Sequence, residues 1–233
     1  MSILVLRPEP GASATAARAR TMGLEPVLAP LFKIRPLDWD APDPSAFDAI
    51  LFTSANAARE AGPQLTRYVH LPCHTVGEAT AAAATAAGFA DVGTGPSDGA
   101  AALAAMSGRV LHLCGREHLP LFRDGVTVER RIVYAADPAA VLPAAAQDAL
   151  AAGAVPLLHS PRAAAAFAGF VPESRRIGVT AAAISAAAAA ALGPGWRHIA
   201  VAARPRDEAL LELAAELCQK AKPACRSEDR DGL

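Results

Sequence analysis

The sequence predicts an α/β protein in which parallel sheets are covered by helices. Short apolar runs recur along the chain, each ending in a small or polar residue. Ala-rich segments of helical composition lie between most of them. The runs are continuous rather than alternating, as strands buried on both faces require.

The elements follow in order. Ile3–Leu6 reads as the first strand and Ala12–Met22 as the helix that crosses back from it. Ala49–Phe52 is followed by helical Ala55–Ala61, and Thr75–Val76 by Ala79–Ala87. Gly99–Met106 is a further helix before the strand Val110–Leu113. Ile132–Tyr134 is extended and precedes the helical stretch Ala139–Ala151. Strands at Pro156–His159, Ile177–Thr180 and Ile199–Ala202 alternate with helices at Ala163–Phe167, Ser185–Leu192 and Glu208–Lys220.

Leu31–Leu37 and Arg130–Ala136 break this rhythm, being extended with interspersed polar residues. One reading takes them as two crossings. A first domain (1–35 plus 136–221) is then interrupted by a second (36–135), with the crossings side by side as a two-stranded linker. The other reading is a single continuous sheet. An internal echo favours two similar halves: Phe47–Ala57 resembles Ala154–Ala164, placing Ser54 and Ser160 106 residues apart. The same offset sets Thr80 beside Ser185. Residues 222–233 are polar and mixed in charge, and read as a disordered tail.

Composition bounds the function. The chain has 233 residues, enough to bury a real core, and is 52% hydrophobic but only 5% aromatic. A net charge of −1 argues against a protein that grips nucleic acid by neutralising phosphates. No apolar run approaches the ~20 residues of a membrane helix, and Met1–Arg7 reads as a strand rather than a leader. The four cysteines, Cys73, Cys114, Cys218 and Cys225, contain no C-x-x-C pair. Reduced cysteines fit a cytoplasmic protein. His70 and His74 lie four apart without a nearby Cys or acidic partner, so no metal is expected. Asp91–Gly99 contains Gly-x-Gly without completing a dinucleotide fingerprint, and neither a Walker lysine nor a Gly-x-Ser-x-Gly elbow is present.

Thr53, Ser54, Asn56, Thr80, Ser160 and Ser185 each stand where a strand gives way to a helix. Such residues are first of all helix caps. The same geometry offers free N–H groups and the positive helix end to a carboxylate or phosphate. His159 and Ser160 are adjacent along a strand end, so their side chains face opposite ways. Tyr134, one of two tyrosines, falls in the second crossing. It reads either as a half-buried linker aromatic or as a proton donor. Arg7 directly follows the first strand. Lys33, Arg35, Arg116, Arg130, Arg131 and Arg162 read as solvated surface.

Leu6-Arg7-Pro8, Leu51–Asn56, Val76–Ala81, Leu111–Gly115, Val133-Tyr134 and Leu158–Arg162 together resemble the uroporphyrinogen-III synthase family across residues 2–218. The resemblance implies two α/β domains joined by a two-stranded linker, the first built from both chain ends. It implies a cytoplasmic, cofactor-free, cyclising lyase acting on hydroxymethylbilane, a linear tetrapyrrole with eight carboxylates, and no nucleic-acid or membrane partner. The product is uroporphyrinogen III, reached by inversion of ring D through a spiro intermediate with loss of water. Tyr134 occupies the position of the family's linker tyrosine, proposed there to assist hydroxyl departure. Arg7, Thr53, Ser54, Asn56, Gly77, Thr80, Cys114, Gly115, Ser160 and Ser185 fall on positions that hold the substrate. The family's Ile-Gly-x-x-Thr-Ala pattern has two candidates here. Gly178 points to Thr180 and the repeat spacing to Ser185. A monomer is expected. The competing class is a hinged two-domain binding protein for a small anionic ligand, or a family member without activity.

Overall fold

The computed structural model describes residues 2–95 and 99–220; the expected tail at 222–233, Cys225 and the end of the Gly-x-Gly segment lie outside them. The described chain begins with β1 (Ser2–Val5), α1 (Gly11–Thr21), β2 (Glu25–Leu28) and β3 (Phe32–Pro36). It continues through β4 (Ala49–Phe52), α2 (Ala55–Glu60), β5 (Cys73–Val76) and α3 (Glu78–Ala86). Next come β6 (Val92–Gly95), α4 (Gly99–Ala104), β7 (Gly108–Gly115) and β8 (Val126–Pro138). The remainder is α5 (Ala144–Ala151), β9 (Val155–Leu158), α6 (Pro161–Phe170), α7 (Glu173–Arg176), β10 (Thr180–Ala183), α8 (Ala186–Leu192), β11 (His198–Val201) and α9 (Asp207–Lys220).

These elements form two compact units that divide between Lys33 and Ile34 and between Asp137 and Pro138, against crossings expected at 35 and 136. The unit made from both chain ends holds a five-stranded sheet in the order β11-β10-β9-β1-β2, every pair parallel. The inner unit holds the order β3-β8-β7-β4-β5-β6, parallel from β8 to β6. Beside it, Leu37 N–H donates to the Val133 carbonyl, where β3 runs along β8.

Burial explains which segments became strands. All four residues of β4 and all four of β9 are buried, as central strands of helix-covered sheets must be. In the inner unit Phe52 packs edge-to-face on Phe89 at 5.6 Å, within a cluster that includes Ile50, Leu111, Leu113 and Val133. In the other unit Ile3, Val5, Leu157, Leu210, Leu211 and Leu217 form the corresponding core.

Several expected boundaries moved. The strand anticipated at 177–180 begins instead at Thr180, because Glu173–Arg176 makes a helical turn after Pro172 and leaves Ile177 75% exposed. Ala181, Ala182 and Ala183, helix formers by composition, are fully buried in β10. The helix expected from Ala139 starts at Ala144, after Pro143, whose missing N–H suits a helix beginning.

Candidate functional site

In the inner unit the carboxyl ends of β4, β5 and β7 carry the predicted residues. Thr53 and Ser54 follow β4, and Ser54 caps α2 by accepting the Asn56 N–H at 3.3 Å. Its extended backbone (φ −150°) turns the chain out of the sheet before the helix winds. After β5, Gly77 adopts φ +80°, a left-handed conformation that suits glycine, and α3 starts at the next residue. Thr80 lies in its first turn and is buried.

β7 and β8 slip register between Cys114 and Gly115, so that Gly115 pairs with Tyr134. A Cβ at Gly115 would come within 2.6 Å of the Tyr134 ring, so only glycine lets the ring lie there. The half-buried Tyr134 hydroxyl donates to Ser54 Oγ at 3.1 Å. Tyr134 and Ser54, both singled out from the sequence, are thus brought into direct contact. Cys114 is buried, its thiol 3.7 Å from the Arg131 carbonyl. Burial pushes that thiol up to about 11, against the opposing charge of Arg130. It is no nucleophile, and its side chain does not reach solvent.

Sequence reasoning missed His112. It is fully buried in β7, and its Nε2 lies 3.1 Å from Thr53 Oγ1. Burial, with Arg130 and His118 adding, pushes it down to about 4, so the ring is neutral near pH 7. A lone histidine inside the apolar run Val110–Leu113 was the available signal.

In the other unit Ser160 follows β9 and accepts the Ala163 N–H at 3.1 Å; Ser185 follows β10 and accepts the Ala188 N–H at 3.2 Å. Thr180 stands at the opposite, amino end of β10. Arg7 follows β1 and leans on Thr15 Oγ1 at 3.3 Å and on Asp207 at 3.6 Å. Gly11 leaves room for that guanidinium, since a Cβ there would meet Arg7 Nε at 2.5 Å.

Asp207, at the start of α9, is the hub that sequence reading missed. Its carboxylate accepts from Thr15 Oγ1 at 2.9 Å, from Arg18 at 2.7 Å and from His159 Nε2 at 2.8 Å. Burial alone would raise its pKa. Hydrogen bonds from His159 and Thr15, with Arg18 beside it, outweigh that and hold the carboxyl at about 2. His159 is itself pushed down by burial, against the pull of Asp207, and its Nε2–H donates to the carboxylate.

No group of three or more His, Cys, Asp or Glu side chains is placed to hold a metal among the described residues. No helix there is long and apolar enough to cross a membrane.

These features define a class: an α/β protein of two parallel-sheet units, with hydroxyl-capped helices starting at the carboxyl ends of the strands. The family model of uroporphyrinogen-III synthase HemD matches residues 13–212. The chain belongs to the uroporphyrinogen-III synthase family. Its fold is similar to that of uroporphyrinogen-III synthetase from Helicobacter pylori, at a TM-score of 0.64 and 22% identity, over 93% of this chain and 100% of that one. A triply substituted uroporphyrinogen III synthase from Thermus thermophilus is similar at a TM-score of 0.57 and 16% identity, over 94% and 100%. No curated protein matches the chain in sequence. Membership makes the protein an enzyme of porphyrin biosynthesis, a cyclising lyase with a tetrapyrrole substrate.

Proposed function

We propose that this chain closes hydroxymethylbilane to uroporphyrinogen III, and that it does so as a cytoplasmic monomer with no metal or organic cofactor. The observation that carries the reading is the family match over residues 13–212. The chemistry asks little of side chains. The substrate cyclises spontaneously to the wrong isomer, so the enzyme's task is to hold ring D inverted and exclude the competing closure, a proximity effect.

Tyr134 is the proposed proton donor. Its hydroxyl, now bonded to Ser54 Oγ, gives a hydrogen bond or proton to the substrate hydroxyl. The C–O bond breaks, water leaves with that proton, the pyrrole N–H returns a proton to Tyr134, and an azafulvene remains. The substituted carbon of ring D attacks it, forming the spiro intermediate, which fragments and recloses as the type III isomer. Within the inner unit the proposed carboxylate contacts are Thr53, Ser54, Asn56 and the N–H groups after Gly77; within the other unit, taken by itself, they are Arg7, Ser160 and Ser185. Helix starts and a single well-placed arginine suit anions without a large basic excess. Thr180, at the far end of its strand, takes no part; Ser185 fills that role. Cys114 and Thr80, both buried, serve through their backbone and packing.

Enzymatically generated hydroxymethylbilane incubated with the protein should give mainly the type III product. A product mixture matching the enzyme-free control, nearly all type I, would refute the reading. Tyr134→Phe should lower kcat about 10²-fold, at the low end for a general acid, while unfolding at the same temperature. Unchanged kinetics would remove Tyr134 from the mechanism.

A further inference from the structure

The proposed chemistry makes no use of His112. This residue is fully buried, its Nε2 faces Thr53 Oγ1 at 3.1 Å, and its Nδ1 is buried with no hydrogen-bond partner among the described residues. Either nitrogen of a neutral imidazole can carry the proton. In the Nδ1–H tautomer, Thr53 would donate to Nε2 and a buried N–H would be left orphaned. In the Nε2–H tautomer, His112 donates to Thr53 and only a lone pair is left unmet. Orphaned buried N–H groups are the rarer and costlier defect.

The ring stays neutral: burial, with the cation of Arg130 opposite His112 across β7 and β8, opposes a second proton. Thr53 itself is half-buried and stands at the carboxyl end of β4, beside the capped start of α2. If Nε2–H fills one lone pair of Oγ1, the Thr53 hydroxyl proton is no longer needed inside. It is then left to be donated elsewhere.

We propose that His112 is a positioning residue: held as the Nε2–H tautomer, it fixes Thr53 as an outward hydrogen-bond donor for a substrate carboxylate. The proposal rests on the reading that Thr53 binds that substrate. It also gives the buried histidine a purpose that packing does not, since a leucine would fill the strand position without an unmet nitrogen.

Long-range ¹H–¹⁵N spectra of the whole protein report the tautomer directly and need no turnover. His112 should show one protonated nitrogen, Nε2, throughout the neutral range. An Nδ1–H pattern would overturn the proposal. Kinetics with hydroxymethylbilane test the consequence. Thr53→Val should raise KM about tenfold, the worth of one hydrogen bond to a charged group, with kcat changed by no more than about twofold. His112→Leu should reproduce that KM rise. His112→Gln, whose amide can still donate to Oγ1, should restore most of it. The double variant should be no worse than Thr53→Val alone. A purely structural role for His112 would lower thermal stability and leave KM alone, and additive effects in the double variant would equally sink the idea. If Thr53→Val changes nothing while the wild type makes the type III isomer, the proposal fails and the proposed activity stands. If the wild type makes only the type I isomer, the activity fails, and the spectra still decide which way the His112–Thr53 bond runs.

Discussion

The two units carry the same device on different supports. In each, a buried histidine has its Nε2 engaged near the carboxyl end of a sheet. In the inner unit, His112 meets the hydroxyl of Thr53. In the other, His159 meets Asp207, which also gathers Thr15, Arg18 and Arg7. The first support is made of neutral hydrogen bonds, the second of charges. Both put a polar group where apolar packing would be cheaper. Neutral support leaves a hydroxyl able to donate; ionic support fixes an arginine. Both outputs suit carboxylates.

The comparison breaks most readily at Asp207. Removing one partner from a buried ionic group leaves the others uncompensated, so Asp207→Ala should destabilise the protein by about 3 kcal/mol, read from urea unfolding near neutral pH. The pH dependence separates the supports. Asp207 at about 2 lies below the ~3.9 of an unfolded aspartate. Its contribution is therefore complete above that higher value and is lost as pH falls through 2. His112, at about 4, lies below the ~6.5 of an unfolded histidine. The unfolded chain takes up that proton first, so stability falls as pH drops from 6.5 towards 4. Asp207→Asn should flatten the profile in the lower window, and His112→Leu should remove part of the slope in the upper one. Profiles that flatten in the same window for both variants would show that the two supports do not differ in this way.

What could be read from sequence follows from how local each feature is. Central strands such as Ala49–Phe52 announce themselves because every residue is buried. Glu25–Leu28 and Val92–Gly95 were missed because both are edge strands. Their burial is incomplete, and Pro26 and two glycines dilute the apolar run. β10 was hidden by alanine, which is helix-favouring in isolation and is a strand here because tight packing on both faces accepts its small side chain. Caps were visible because strand end, hydroxyl and helix lie within a few residues. The Asp207 hub was not, since Thr15 is 192 residues away and His159 is 48. Tyr134 stood out by rarity, yet its partner Ser54, 80 residues distant, needed the fold to be found.

The contact between Tyr134 and Ser54 in the inner unit can be disturbed without touching either side chain. Gly115→Ala places a methyl group against the Tyr134 ring, at 2.6 Å from its nearest atom. The ring must move, and the 3.1 Å bond to Ser54 cannot survive unchanged. We expect kcat to fall at least about tenfold, approaching the loss in Tyr134→Phe, since a displacement near 1 Å is enough to spoil a positioned donor. Activity equal to wild type would mean that the contact between Tyr134 and Ser54 has no part in turnover.

The smallest expected effects come from the serine caps, and they sharpen the comparison most finely. Ser160 and Ser185 each accept an N–H three residues on, at 3.1 and 3.2 Å. Each should cost about 1 kcal/mol of stability on replacement by alanine. Ser54 accepts from only two residues on, at 3.3 Å, and its oxygen is shared with Tyr134. The cap there is the poorer one, so Ser54→Ala should cost less stability than either of the others. Its effect should fall on turnover instead, because Tyr134 loses the acceptor that aims its hydroxyl. Thermal melts alongside initial rates for the three variants would decide it. If Ser54→Ala destabilises as much as Ser160→Ala and leaves the rate intact, Ser54 is a helix cap and nothing more, and Tyr134 must be aimed by its own strand.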